Sequence, residues 1–361
     1  MKNIFTLLLV IVASTGTMLA AEKIGDFYYN LNSADKTAEV YSYVGGSSAV
    51  IPSSVQFGNV TYSVTSIASR AFENSAMTSI TIPESIKSIG KWAFEECISL
   101  TSVVWNVVKL DKEPFGSTFF DSENINSFTF GNDVEAIPDY LCHALKMLTT
   151  ITIPSNVKSI GLESFANSGL TSVTLSEGIT SIGKQAFEQC ENLISINIPA
   201  SVTYIGTYAF KECKKLESSI IIPEGITTLS NGVFINCSSL TTISLPSSLE
   251  RIEGTYFGTF AGCNALEKIF VHRDTPANAD SKTFDGVDKY SCTLYVPRTS
   301  ISLYESAPVW RDFYNIEAIE DAMAIDEVEV DCSHGQKIIR DGQVLIERGD
   351  KAYTLQGAEV K

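Results

Sequence analysis

The stretch ITIPESIKSIGKWAFEEC, Ile80 to Cys97, decides the fold, because it returns as VTLSEGITSIGKQAFEQC (Val173 to Cys190) and as INIPASVTYIGTYAFKEC (Ile196 to Cys213). The shared frame reads L-x-S-I-x-I-P-x-x-V-x-x-I-G-x-x-A-F-x-x-C. Phe72, Phe94, Phe119, Phe165, Phe187, Phe210, Phe234, Phe260 and Phe284 hold one slot of it, and Cys142 fills the same slot between Phe119 and Phe165. Successive spacings run from 22 to 26 residues. Ten copies in phase are an array, and a period of roughly 20–29 residues is that of leucine-rich repeats.

Each copy reads as one coil of a solenoid. Alternation in T-S-I-T-I-P or T-T-I-S-L-P predicts a short strand with apolar residues inward at every second place. Pro83, Pro154, Pro199, Pro223 and Pro246 follow that strand and end its ladder. A second extended piece follows, as in V-T-Y-I-G, and Gly90, Gly161, Gly183 and Gly206 are expected to permit a corner through backbone freedom. The A-F-x-x-C piece predicts a tight turn or a single helical turn whose Phe packs between coils. No coil buries its apolar face alone, so stacking makes the core. The expected fold is a repeat solenoid of leucine-rich-repeat type with a parallel sheet along one face, mainly short parallel strands, tight turns and single helical turns.

The frame resembles the BspA-like leucine-rich repeats of bacterial surface proteins, common in gut and oral Bacteroidetes. The resemblance extends to the flanks. FYYNLNSADKTAEV, within residues 21–66, is similar to the β-hairpin cap that opens such arrays. Residues 67–290 hold about ten repeats, including a variant with a loop inserted after Trp105, from Asn106 to Gly116. LYVPRTSISLYESAPVWRDFYNIEAI, within 291–320, resembles the family's closing segment. The resemblance implies a non-catalytic binding protein, as family members are described as adhesins and partner-binding surface proteins. The motif specifies fold strongly and ligand hardly at all.

The ends differ from the array. Lys2, the apolar run Ile4 to Ala13 and the small residues leading to Ala20 have the layout of a secretory signal peptide over residues 1–20. The first Cys is Cys97, so no lipidated Cys is expected near the cut. At the other end, residues 321–361 read as an acidic linker (the run Glu317 to Asp331) and then KIIRDGQVLIERGDKAYTLQGAEV. That string predicts short strands joined by Asp-Gly and Gly-Asp turns. It resembles small C-terminal β modules of Bacteroidetes exported proteins, which implies sorting or retention. Arg348-Gly349-Asp350 is an integrin-binding tripeptide in form, and the residue types are those a hairpin turn needs anyway.

The chemistry is sparse. The chain of 361 residues is 44% hydrophobic and 19% charged, with a net charge of −16. No basic stripe is present for nucleic acid, no apolar run after the leader is long enough to span a membrane, and no cofactor is expected. Cys97, Cys190, Cys213, Cys237 and Cys263 each stand three residues after the Phe slot, where a repeat buries a small side chain with a weak donor. Parallel neighbours in such a row approach each other poorly for disulfides. His143, His272 and His334 have no ligand-spaced zinc partners. Cys332-Ser333-His334 is the nearest Cys–His approach and falls in the linker. No nucleotide-binding or nucleophile-elbow motif is present.

One column of outward strand positions is Thr81, Val104, Thr129, Thr152, Thr174, Asn197, Ile221, Ser244, Phe270 and Tyr295. Most of it is small or hydroxyl-bearing, but its C-terminal third turns to Ile221, Phe270 and Tyr295, with Lys268 beside them. Exposed aromatics beside a cation suit a protein-binding hot spot. Either these residues are a partner site or the segment Tyr304 to Tyr314 folds back over them. The expected partner is a protein or glycan-bearing macromolecule, bound at the cell surface or outside the cell in adhesion. The alternative is a non-catalytic envelope component of a nutrient-capture or assembly system, and the periplasm is the alternative location to the cell surface or the outside of the cell.

Overall fold

The computed structural model describes residues 20–112, 116–217 and 219–319, and the backbone of four strands between Gln336 and Val360. The strands Glu22–Ile24, Phe27–Asn32 and Thr37–Tyr43 form an antiparallel meander. Thr37–Tyr43 then pairs in parallel with Val60–Ile67, which itself pairs in parallel with Ser88–Ile89. Ser48–Val50 pairs in parallel with Ser79–Ile82. Both extended pieces of the first coil thus gain a partner strand from the N-terminal cap, and the sheet edge on that side is the short three-residue strand Ser48–Val50, as short edge strands suit.

From there every coil adds one strand to a parallel ladder. Pairing is in register, as in Thr150↔Ser172 and Ile151↔Val173, or Thr242↔Lys268 and Ser244↔Phe270. Burial alternates along Ser172–Leu175 and Thr150–Ile153, with Ile and Leu inward and Ser and Thr outward. The sheet differs from the single expanse expected. It runs in three sections: Ser48–Val50 to Ser127–Phe130, Thr150–Ile153 to Ser195–Ile196, and Ile220–Ile221 to Asn315–Ala318. The second extended pieces also pair with each other. Ala136–Ile137, Ser159–Ile160, Ser181–Ile182 and Tyr204–Ile205 form one two-residue ladder, and Thr228–Leu229, Arg251–Ile252 and Asn278–Ala279 form another.

The corner glycines serve a different purpose from the one expected. A Cβ on Gly90 would lie 2.2 Å from the Ser69 backbone nitrogen, and one on Gly206 would lie 2.5 Å from that of Lys184. Neither has a positive φ, so close approach of neighbouring coils, not backbone freedom, excludes a side chain there.

The Phe segment is a turn, not a helix. Two left-handed residues recur in it, two places before and two places after the Phe, as Gln185 and Gln189 flank Phe187 and Tyr208 and Glu212 flank Phe210. Each left-handed non-glycine residue costs on the order of 1 kcal/mol. The conformation aims alternate amides at the next coil: Phe165 N–H donates to Ala186 O at 2.9 Å, Phe187 to Ala209 O at 2.8 Å and Phe210 to Val233 O at 2.9 Å. The rings stack with the same period. Phe165, Phe187, Phe210, Phe234, Phe260 and Phe284 have successive centroid spacings of 5.3 to 5.8 Å and interplanar angles of 7° or less. Phe72, Phe94 and Phe119 form a second stack on the other side of Cys142, and aromatic residues close the outer end of each stack. Tyr43 stacks on Phe72 at 5.5 Å, and Trp310 and Phe313 meet Phe284 edge-on.

The cysteine row follows from that turn. Cys97, Cys190, Cys213, Cys237 and Cys263 are free and buried. The Sγ of Cys213 donates to Phe187 O at 3.2 Å, that of Cys237 to Phe210 O and that of Cys263 to Phe234 O, both at 3.1 Å. Ser122 takes the same slot in its coil and donates to Phe94 O at 2.9 Å. Each of these coils therefore satisfies a buried carbonyl of an earlier coil, a group whose neglect costs about 1–3 kcal/mol.

The closing segment holds the helix Ile301–Ser306 and the strand Asn315–Ala318, which pairs with Thr293–Val296. Tyr304 and Trp310 are buried, their polar atoms donating to Arg273 O and Ala277 O at 2.8 Å. Glu317 belongs to this last strand, so the acidic run does not begin as a linker. Further on, Gln336–Arg340, Gln343–Arg348, Lys351–Thr354 and Glu359–Val360 form an antiparallel sheet. Residues 1–19, Cys332 and His334, and Gly349 and Asp350 lie outside the described residues, as do residues 113–115 of the inserted loop.

Two outcomes follow. Phe187→Ala removes a ring in mid-stack and should cost about 3–5 kcal/mol in urea unfolding, against about 0.5 kcal/mol or less for the exposed Thr174→Ala. A loss below about 1 kcal/mol at Phe187 would refute the stack as a source of stability. For the thiols, burial pushes Cys190 up to about 11 and Cys97 and Cys263 up to about 12, from 9.0. Because the folded pKa is the higher one, this stabilisation is complete below about 9 and is lost as pH rises toward 12. The urea midpoint should hold from pH 6 to 8 and fall from pH 9 upward, with no alkylation of the folded protein at pH 8 and full labelling of all five thiols once it is denatured without reductant. Labelling of the native row, or a disulfide within it, would contradict this.

Candidate binding surface

The last section of the sheet carries the residues singled out in the sequence. Register places Ile221 beside Ser244, Ser244 beside Phe270, Phe270 beside Tyr295, and Tyr295 beside Glu317. Side chains of one column point the same way because strand residues alternate faces. Ile221 is 64% exposed, Lys268 is exposed and Phe270 is half-buried.

Tyr295 departs from expectation. It is only 8% exposed, and its ring stacks on Phe270 at 4.8 Å and 13°. Alternation alone puts it outward, but the Phe270 ring lies against it on one side and the final strand flanks it on the other. Tyr295 therefore supports Phe270 and is not an open anchor. The segment Tyr304 to Tyr314 sends its two largest buried side chains to the end of the array. Its Tyr304 and Trp310 plug the end of the core, and the strand after it extends the sheet.

The neighbouring polar groups were not legible in sequence. Ser244 Oγ lies 2.9 Å from His272 Nε2, although 28 residues separate them. Register brings them together, since Thr242–Leu245 and Lys268–Val271 are adjacent strands. Partial desolvation lowers the pKa of His272, and the Glu224 carboxylate works against that shift. Burial works against ionisation of Glu224, but the bonds it accepts from Ser247 N, Ser247 Oγ and Ser248 N, at 2.9 to 3.2 Å, outweigh it and hold its pKa below the usual value. A serine within reach of an imidazole is the first half of a nucleophile–base pair. Here the carboxylate is engaged elsewhere and the Ser–His contact is solvent-exposed, whereas electrostatic catalysis relies on a water-excluded site. The arrangement offers hydrogen-bonding groups beside an apolar strip, which is the make-up of a recognition surface.

Elsewhere, His143 Nδ1 lies 3.4 Å from Glu163 in a repeat turn. A second exposed aromatic group, Tyr256 and Phe257, stands near Tyr208, with the Phe257 and Tyr208 rings 6.3 Å apart. Its sequence signal is the long spacing of 26 residues between Phe234 and Phe260. Among the described residues no group of three or more His, Cys, Asp or Glu could hold a metal ion, and no helix is long and apolar enough to cross a membrane.

Among solved structures, a leucine rich cell surface protein from Faecalibacterium prausnitzii A2-165 is similar at 23% identity and a TM-score of 0.47, covering 84% of this chain and 96% of that one. A leucine-rich repeat protein from Bacteroides ovatus is similar at 22% identity and 0.40, covering 78% and 80%. The T. pallidum leucine rich repeat protein is similar at 20% and 0.36, covering 68% and 91%. No curated protein matches the chain at a significant level. The BspA type leucine rich repeat region matches in six copies, over residues 51–168 and 137–267. That is more than half of the sequence, in the same coils that the Phe turn defines, and the protein belongs to the BspA type leucine rich repeat family.

Proposed function

We propose that this chain is an exported, non-catalytic binding protein of the bacterial surface, serving adhesion to a protein or glycan-bearing macromolecule. Its contact surface is the C-terminal third of the outer sheet face, centred on Ile221, Lys268 and Phe270, with Tyr295 as the support beneath. Residues 1–20 act as the export signal and residues 321–361 as a sorting or retention module.

The observation that carries this reading is Ile221, which is 64% exposed in a column otherwise rich in Thr and Ser. An isoleucine side chain gains little by standing in water, and a partner that covers it recovers roughly 25 cal/mol for each Å² buried. Phe270 adds aromatic area, and Lys268, Ser244 and His272 supply directional polar contacts around it. Small hydroxyl side chains further along the column offer less area from which to build affinity.

The experiment is a binding assay against host extracellular-matrix proteins and against the cell's own envelope fraction. Ile221→Ala with Lys268→Ala should weaken binding at least tenfold, which is about 1.4 kcal/mol or more, without lowering the melting temperature. Tyr295→Ala should lower the melting temperature as well, because it removes a buried ring. Unchanged affinity in the folded double variant would refute the site. Capture from the envelope fraction alone would assign the chain to an envelope assembly and not to adhesion.

A further inference from the structure

The break between the first two sheet sections opens a cleft. The strands Ser127–Phe130 and Thr150–Ile153 are successive in the array but belong to different sheets, while the adjoining two-residue ladder resumes at Ala136–Ile137 and Ser159–Ile160. The resulting cavity has a volume of about 570 Å³ and reaches Phe128, Phe130 and Ile151, which are inward-facing strand residues. That volume lies within the range of small-ligand sites, roughly 300–1,000 Å³.

Several departures from the repeat meet here. Cys142 replaces Phe in the ring row, and Leu145 replaces Cys or Ser three places on. Phe128 turns edge-on to Phe119 at 5.9 Å and 87°, the ring that would otherwise face a Phe in the next coil. Phe130 packs on Phe128 at 5.1 Å, and Gly131 stands where other strands end in Pro. Coincident departures from a local rule, placed around one cavity, mark a functional site better than scattered ones do.

We propose that this cleft binds a short neutral saccharide, a site separate from the surface around Ile221. The lining chemistry selects the class. Asn132 supplies an amide, Thr129, Thr150, Thr152 and Ser155 supply hydroxyls, and no charged side chain lines the cavity. Asn156 Nδ2 donates to Asn132 O and Ser176 Oγ to Ile153 O, so these two offer their acceptor oxygens. Phe128, Phe130, Ile151 and Pro154 supply apolar ground. A sugar ring presents hydroxyls at its edge and C–H groups on its faces, which matches both sets. An acidic or phosphorylated ligand would find no cation. An extended peptide adding to both open strand edges fits less well. Full insertion needs two strand spacings, roughly 9.5 Å, whereas Cα atoms of the two strands still approach within 8 Å.

The test uses the full chain on an array of neutral, sialylated and sulfated glycans, with Thr152→Trp to fill the cleft and Thr174→Trp as a control one coil on. Signal on neutral glycans should fall at least tenfold in Thr152→Trp and stay unchanged in Thr174→Trp. Melting curves confirm folding, and Thr129→Lys on the opposite wall replaces Thr152→Trp if that variant fails to fold. No neutral-glycan signal, equal signal in the cleft and control variants, or signal confined to acidic glycans would overturn the proposal. Binding to an array of extended peptides that Thr152→Trp abolishes would also overturn it, by assigning the cleft to a strand-forming partner. None of these outcomes bears on the Ile221 surface, because neither cleft variant touches it.

Discussion

The stacked Phe turn is the constraint on which the rest of the structure depends. A ring row alone would slide, and hydrogen bonds alone would leave the centre empty. The turn supplies both at once, as Phe187 lies 5.5 Å from Phe210 while its N–H reaches Ala209 O. The paired left-handed residues make that geometry possible, and the inter-coil bonds offset their cost. Other features of the repeat follow. The residue three places on is small and able to donate in most coils, as Cys in five of them and as Ser122 in another, whereas Leu145 follows the slot where Cys142 breaks the ring row. The corner must lie close to the coil before it, so Gly90 and Gly206 carry no side chain. The row must end somewhere, and Tyr43 at one end and Trp310 at the other keep the outermost rings from water.

With the interior fixed this tightly, variation is left to the outward column and to a few irregular coils. The outward column bears little on folding, so Ile221 there asks for a reason outside the fold, in a way that the inward Ile220 does not. Irregular coils are informative for the opposite reason. Where Cys142 interrupts the ring row, Phe128 compensates from the strand, and the sheet parts above it. Both candidate surfaces therefore lie where the repeat departs from itself, one by exposing an apolar side chain and one by opening the sheet.

The sequence made the period, the inward Phe and the buried thiols legible, because each recurs at a fixed place and repetition exposes a rule. Features that depend on register between coils were hidden. The bond between Ser244 and His272 joins residues one coil apart, and spacing alone does not announce it. Tyr295 reads as outward from alternation, and only the position of Phe270 and the last strand shows it to be covered. The parting of the sheet was equally silent, since SFTF alternates as well as its neighbours do. For the glycines, position was readable and cause was not, as close approach and left-handed backbone select the same residue.

Native-state hydrogen exchange tests the central claim most directly. Amides of Phe165, Phe187, Phe210 and Phe234 lie in turns, yet the account makes them structural bonds between coils. They should exchange as slowly as the inward strand amides of Val173 and Ile243, through unfolding of many coils together. Exchange of the Phe amides at the fast rates of ordinary surface turns, with the strands still protected, would contradict it.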